Sequence, residues 1–268
     1  MELPILRFSL MAPIVLFTDF GVSGPYVGQM MAAVYRTYAE ARVINLFADA
    51  PSFDPQASAY LLAAYVEEFE PGSVFLCVVD PGVGGERKPI VVEADGRFFV
   101  GPDNGLFSVI AKRAKKWIVK QIVWKPERMS ETFHGRDLFA PVAAKIAKGE
   151  PFASKEMGPT SLCGFDGPED LEKVVYVDSY GNVITGVRGA AMSRETIFLA
   201  GGREICWAQR FSSVQKGQCF WYENSNGLVE LAVREGSASQ FLGLGVGDKI
   251  MAISSGDAVG SLGRAQIG

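Results

Sequence analysis

The sequence is short of the residue types that many catalytic and binding chemistries require. Its 268 residues include a single histidine, His134. One histidine and scattered acids permit a magnesium-type site but not a typical zinc one. The four cysteines, Cys77, Cys163, Cys206 and Cys219, form no Cys-x-x-Cys pair, which argues against a zinc knuckle. So few cysteines in so long a chain fit a reducing cytoplasm better than a disulfide scaffold, and the expected location is cytoplasmic. Cys77 sits in an apolar run and reads as a small core residue. No basic run exceeds Lys112-Arg113 or Lys115-Lys116, and the net charge is -4, so no nucleic-acid partner is expected. No apolar run reaches the roughly 20 residues of a spanning helix, so no membrane partner is expected either. Residues 1–10 lack a small-residue cleavage pattern and read as a dispensable extension before Met11. The glycines at 21, 24 and 28 do not make a dinucleotide fingerprint, and no phosphate loop of the Walker type occurs. A Gly-x-Ser-x-Gly elbow is also missing.

What is present is an alternation of short apolar runs and amphipathic segments. Strands are expected at 13–17, 42–47, 73–79 and 117–123. Helices are expected at 26–38, 55–68, 106–114 and 138–148. Asp95-Gly96 between 90–94 and 97–100 is a hairpin signal. This alternation predicts an α/β fold over 12–155, with helices on both faces of the sheet. Pro151, Gly158, Pro159, Gly164, Gly167 and Pro168 mark a linker, placed at 156–169. Short β-like runs follow at 173–177, 183–187, 196–199, 203–207, 217–222, 228–233 and 249–253. They predict a small all-β domain over 170–268, closed as a barrel.

Polar clusters follow several of these runs. Val78-Val79-Asp80-Pro81-Gly82-Val83-Gly84-Gly85-Glu86-Arg87 is a buried strand that opens abruptly into a tight loop. In open α/β sheets ligands sit at such strand ends. Asp19, Asp103-Asn104, His134 with Arg136-Asp137, Asp178 to Asn182, and Glu223 to Gly227 complete the set. Each also has a local reading: Asp19 and Asp137 as helix caps, Asp103-Asn104-Gly105 and Asp178 to Asn182 as turns. A base with partners that orient it can activate water without a metal, and a histidine with an aspartate and an arginine supplies that.

Taken in order, several segments resemble the S-adenosyl-L-methionine (SAM) hydroxide adenosyltransferases. These adenosine-forming hydrolases are related to fluorinase and chlorinase. The segments are Thr18-Asp19-Phe20-Gly21, Asp80 to Gly84, Gly101-Pro102-Asp103-Asn104-Gly105, Phe133-His134-Gly135-Arg136-Asp137 and Asp178 to Thr185. The resemblance implies attack of water or hydroxide on the ribose C5′ of SAM, giving adenosine and L-methionine with no cofactor and no metal. It implies a catalytic triad at Asp80, Arg87 and His134, which the halogenases lack. His134 is expected to take the proton, Asp80 to fix its tautomer, and Arg87 to hold the water. Substrate-binding roles fall on Asp19 for the ribose hydroxyls and Phe53 against the nucleoside. Asp178 and Ser225 fall to the methionine end, Tyr180 and Asn182 to adenine, and Asn226 stands where the halogenases carry Arg. The family usually has Phe at Tyr180 and Asn at Gly186. The resemblance further implies a homotrimer with its active site at the subunit interface. The alternatives are a metal-dependent phosphohydrolase using Asp19, Asp80, Asp103 and His134, and a non-catalytic SAM or adenosine sensor.

Overall fold

The computed structural model describes residues 12–253. The expected extension at 1–10 and the end of the expected β domain, beyond 253, lie outside the described residues. By contact the chain divides into two compact units: 12–55 with 67–165, and 56–66 with 166–253.

The first unit is built on a seven-stranded mixed sheet. In chain order it holds β1 (Ile14–Thr18), α1 (Tyr26–Thr37) and β2 (Val43–Phe47). After α2 (Pro55–Tyr65), most of which groups with the second unit, come β3 (Val74–Val78), β4 (Pro89–Ala94) and β5 (Arg97–Pro102). Then follow α3 (Ser108–Arg113), β6 (Trp117–Ile122), α4 (Ala140–Lys148) and β7 (Ser154–Met157). The sheet order is β2-β1-β3-β5-β4-β6-β7. β2, β1, β3 and β5 run parallel, whereas β4, β6 and β7 pair antiparallel.

β1 and β3 are buried along their whole length, as continuous apolar runs require in a sheet covered on both faces. Ile14, Leu16, Val74 and Leu76 share a core with Met30 and Val34 of α1 and Val142 of α4. Their alternates meet an aromatic set in which Phe75 stacks on Phe99 at 5.0 Å and Phe69 meets Phe75 edge-on. The expected Asp95-Gly96 hairpin is present: both residues take positive φ, and Ala94 pairs with Arg97. β7 takes in Glu156 and Met157, the first two residues of the stretch expected as a linker at 156–169, and pairs them with β6. An edge strand of four residues, Ser-Lys-Glu-Met, carries too little apolar pattern to be seen in sequence.

The second unit holds β8 (Leu171–Val177), β9 (Val183–Arg188), β10 (Ile197–Ala200) and β11 (Arg203–Ile205). β12 (Cys219–Glu223), β13 (Leu228–Val233), α5 (Ala238–Leu242) and β14 (Met251–Ile253) complete it. Two antiparallel sheets result, β12-β13-β9-β8 and β11-β10-β14. Isolated bridges join Lys173 to Lys249 and Trp207 to Trp221. The core centres on Trp221, which meets Phe198 edge-on and donates Nε1–H to the Thr196 carbonyl at 2.8 Å. α2 is tied in by Tyr60, whose hydroxyl donates to the Pro168 carbonyl at 2.6 Å. Gly186 pairs with Leu171, and a Cβ there would lie 2.6 Å from the Leu171 Cβ. Asparagine would not fit this backbone approach, which gives the departure from the family pattern a steric cause. The short helix α5 escaped the sequence reading.

Among the described residues, no helix is long and apolar enough to cross a membrane.

Candidate active site

β1 lies between β2 and β3, so the chain leaves β1 to one side and returns on the other. Such a switch point opens a crevice outside the strands' carboxyl ends. A cavity of about 720 Å³ lies there. Its walls include Asp19 and Phe20, which follow β1, and Asp80 and Pro81, which follow β3. Phe53, Phe133 and His134 also line it.

The first unit brings Asp80, Arg87 and His134 together. Arg87 Nη2 donates to Asp80 Oδ2 at 2.6 Å and to His134 Nδ1 at 2.7 Å. Arg87 Nε lies 3.1 and 3.0 Å from the two Asp80 oxygens. Both side chains are buried, with 9% and 4% of their surface exposed. The guanidinium also lies over the Phe139 ring, 5.4 Å from its centroid.

This order of contacts corrects one expectation. The partner of His134 Nδ1 is Arg87, not Asp80. A guanidinium only donates, so Nδ1 must accept. The neutral ring therefore carries its proton on Nε2, leaving that nitrogen a donor. Burial, then the Arg87 charge, holds the His134 imidazole below its ordinary value; the Asp80 and Asp137 charges oppose this. Among the described residues, Asp80 and His134 line the cavity and Arg87 does not.

Local structure explains how the loop and the histidine meet. Gly84 takes φ +81°, and a Cβ on it would lie 2.7 Å from the Glu131 carbonyl oxygen. Only glycine allows the Asp80–Arg87 loop this close to the segment that carries His134. His134 opens a π-helical turn, Gly135–Phe139, that runs into α4. Asp137 braces the approach, accepting from the Ser130 amide at 2.8 Å and from Arg136 Nε at 2.6 Å.

Asp19 and Phe53 occupy the same cavity. The Phe53 amide donates to Asp19 Oδ2 at 3.1 Å. Phe53 sits at φ +61°, uncommon for a non-glycine residue, and the residue is 77% exposed. Burial pushes the Asp19 carboxyl up, opposed by the Phe53 hydrogen bond. Phe20, Tyr26 and Phe133 form a mutual cluster along the same wall with ring centroids 5.6–5.8 Å apart, Phe133 meeting the other two edge-on and Phe20 tilted against Tyr26. The sequence reading gave these rings no role, although two of them stand inside the quoted motifs.

Asp178, Tyr180, Asn182, Ser225 and Asn226 lie around a separate cavity of about 860 Å³ in the second unit. Asp178 serves as a turn brace there. Its Oδ1 accepts from the Tyr180 and Asn182 amides at 2.9 and 2.8 Å, and its Oδ2 from Asn182 Nδ2 at 3.0 Å. Tyr180 is 80% exposed. Glu230, missed in sequence because it lies in an apolar strand, is buried in this cavity. It accepts from Tyr222 and, at 3.0 Å, from Asn224 Nδ2. Asn224 in turn takes the Asn226 and Leu228 amides on Oδ1, which shapes the turn carrying Ser225 and Asn226.

Among the described residues, no group of three or more His, Cys, Asp or Glu side chains is arranged to hold a metal ion. Asp103, one of the alternative metal ligands, instead accepts from the Cys163 amide at 2.9 Å.

Comparison with known proteins finds matches over most of the chain. The N-terminal domain of the SAM hydroxide adenosyltransferases matches residues 14–156, and their C-terminal domain matches 172–251. A protein of Thermus thermophilus named (R)-S-adenosyl-L-methionine hydrolase is 34% identical, over 87% of this chain and 96% of its own length. One of the same name from Salinispora arenicola is 34% identical over 87% and 94%. A crystal structure of an uncharacterized conserved protein from Thermotoga maritima superposes with TM-score 0.80 at 31% identity, covering 89% of this chain and 99% of that one. The chain belongs to the SAM hydroxide adenosyltransferase family.

Proposed function

We propose that this protein hydrolyses SAM to adenosine and L-methionine by attack of water or hydroxide on the ribose C5′. The observation that carries the reading is the buried Asp80–Arg87–His134 cluster at the edge of the switch-point cavity. The names of the relatives point to the (R) sulfonium epimer as substrate.

The chemistry suits these residues. As the O–C5′ bond forms, the C5′–S bond breaks and its electron pair returns to sulfur. Methionine leaves as a neutral thioether, so no general acid is required. The water proton passes to the Asp80 carboxylate and from there to solvent. Asp80 is the acceptor facing the cavity and takes a hydrogen bond from the nucleophile. His134 Nε2–H is the donor that orients the same oxygen. Arg87 joins the two side chains and holds them in one geometry. Placement of the oxygen in line with the C5′–S bond supplies much of the remaining acceleration. Asp19 takes the ribose hydroxyls, and Phe53 and the neighbouring rings form the nucleoside wall.

The methionine and adenine roles of Asp178, Tyr180, Asn182, Ser225 and Asn226 are part of the same proposal. So is a homotrimer in which two subunits complete each site; the gathering of candidate binding groups in two separate cavities supports it. Closure of the C-terminal sheets into a barrel is supported by the bridges Lys173–Lys249 and Trp207–Trp221. A cytoplasmic location is supported by four free cysteines.

Incubation with each sulfonium epimer in water enriched in heavy oxygen tests the reaction. The expected result is labelled adenosine and equimolar methionine from the (R) epimer. Unlabelled adenosine, or methylthioadenosine as product, rejects the reading, and tight binding without turnover marks a sensor.

The pH profile tests the histidine state. Protonation of His134 would turn Nδ1 into a donor facing the Arg87 donor. Because its folded value is depressed, the neutral form persists below the ordinary histidine pKa of about 6.5. The acid limb of kcat/KM is therefore expected below that value. The stability this group contributes is present above the unfolded-state value and lost as pH falls through the folded one. An acid limb above the ordinary histidine value would contradict the assignment.

A further inference from the structure

We propose that Asn104 is a positioning residue for this reaction, stapling the Asp80–Arg87 loop from the neighbouring strand end together with the Asp103 backbone. The inference rests on the function proposed above.

Among the described residues no hydrogen bond or ion pair joins Asn104 to Asp80, Arg87 or His134. Its Nδ2 donates to the Val79 carbonyl at 2.8 Å. Val79 is wholly buried and immediately precedes Asp80, just past the end of β3. Its carbonyl lies beyond the last ladder pair of β3 with β5, Leu76 with Val100. Buried carbonyls need a partner, and Asn104 supplies one there. The next residue back does the same at the loop's other end. The Asp103 amide donates to the Lys88 carbonyl at 2.8 Å, directly after Arg87. One dipeptide thus grips the residue before Asp80 and the residue after Arg87.

The surrounding glycines make this grip possible. A Cβ on Gly101 would lie 2.3 Å from the Cys77 carbonyl oxygen, so the end of β5 approaches β3 as only glycine permits. Gly105, at φ +100°, turns the chain away directly after Asn104. The Asp103 carboxylate, held by the Cys163 amide, fixes the dipeptide from behind. Between its two grips the loop is glycine-rich and exposed, with Gly84 against Glu131 as its other close approach, so the grips at its ends help to set where Asp80 and Arg87 point. The segment Gly101 to Gly105 therefore acts as the jig for the reacting cluster rather than as a binding loop.

The test compares wild type with Asn104→Ala, and with Asn104→Ser, which keeps a side-chain hydrogen-bond donor without the reach, in case the alanine variant fails to fold. The readouts are kcat and KM for SAM, the pH profile, and Tm. We expect kcat to fall roughly 10- to 100-fold, the penalty of a small misplacement of reacting groups. KM should change by less than about threefold, because substrate contacts are retained. The acid limb should also move up toward the ordinary histidine value as the Arg87–His134 contact loosens, which a loss of stability alone would not cause. A folded variant with kcat within about threefold of wild type overturns the proposal. So does a loss of kcat with the acid limb unmoved. If wild type itself does not hydrolyse SAM, the functional reading falls, and the positioning role with it; active wild type with unaffected variants rejects the positioning role alone.

Discussion

Asp80→Asn is expected to lower kcat for SAM hydrolysis by roughly 10²- to 10⁴-fold, the range for loss of a positioned proton acceptor. The substitution keeps the size of the side chain and removes two things. The cavity loses the acceptor that takes a hydrogen bond from the nucleophile. Arg87, whose side chain is 9% exposed, loses the only acidic partner within ion-pair distance among the described residues. An amide NH₂ turned toward Arg87 would set donor against donor, so the guanidinium would shift and release His134 Nδ1, which it now contacts at 2.7 Å. Steady-state kinetics on SAM with a folded variant checks this. A loss smaller than about tenfold would show that Asp80 does not face the nucleophile.

Arg87→Met is expected to destabilise the protein by about 3–5 kcal/mol, because it strands a buried carboxylate. It should also abolish most activity, since one guanidinium joins Asp80 to His134. Thermal or denaturant unfolding reads the first effect and SAM turnover the second. The double variant Asp80→Asn/Arg87→Met removes both charges and should recover much of the stability while remaining inactive. Arg87→Lys keeps the charge but not the planar fork, so it should hold Asp80 and lose His134. Unchanged unfolding of Arg87→Met would mean that the pair is not buried in solution.

The second unit shows how a residue's type can be legible when its task is not. Asp178, Asn182, Ser225 and Asn226 stood out because polar residues interrupt apolar runs. Their hydrogen bonds show that Asp178 is occupied by its own turn, and that a buried acid in a run of hydrophobics, Glu230, helps shape the other turn. Composition within a strand gives no sign of such a residue, because its partners, Tyr222 and Asn224, come from the neighbouring strand and the turn.

By itself the sequence determined the α/β alternation of the first unit, the Asp95-Gly96 hairpin and the strand ends that carry Asp19 and Asp80. Its ordered motifs were also enough to determine the family. These are local properties: the period of apolar residues, the φ a turn demands, and the identity of short segments. Tertiary structure alone decided that β4, β6 and β7 run antiparallel, that a strand occupies residues 154–157, and that 56–66 groups with the second unit. It alone placed Arg87 between Asp80 and His134 and so set the histidine's tautomer. That contact joins residues 47 positions apart. No local propensity encodes such a meeting; it follows from sheet order, from Gly84 against Glu131, and from Asn104 on Val79.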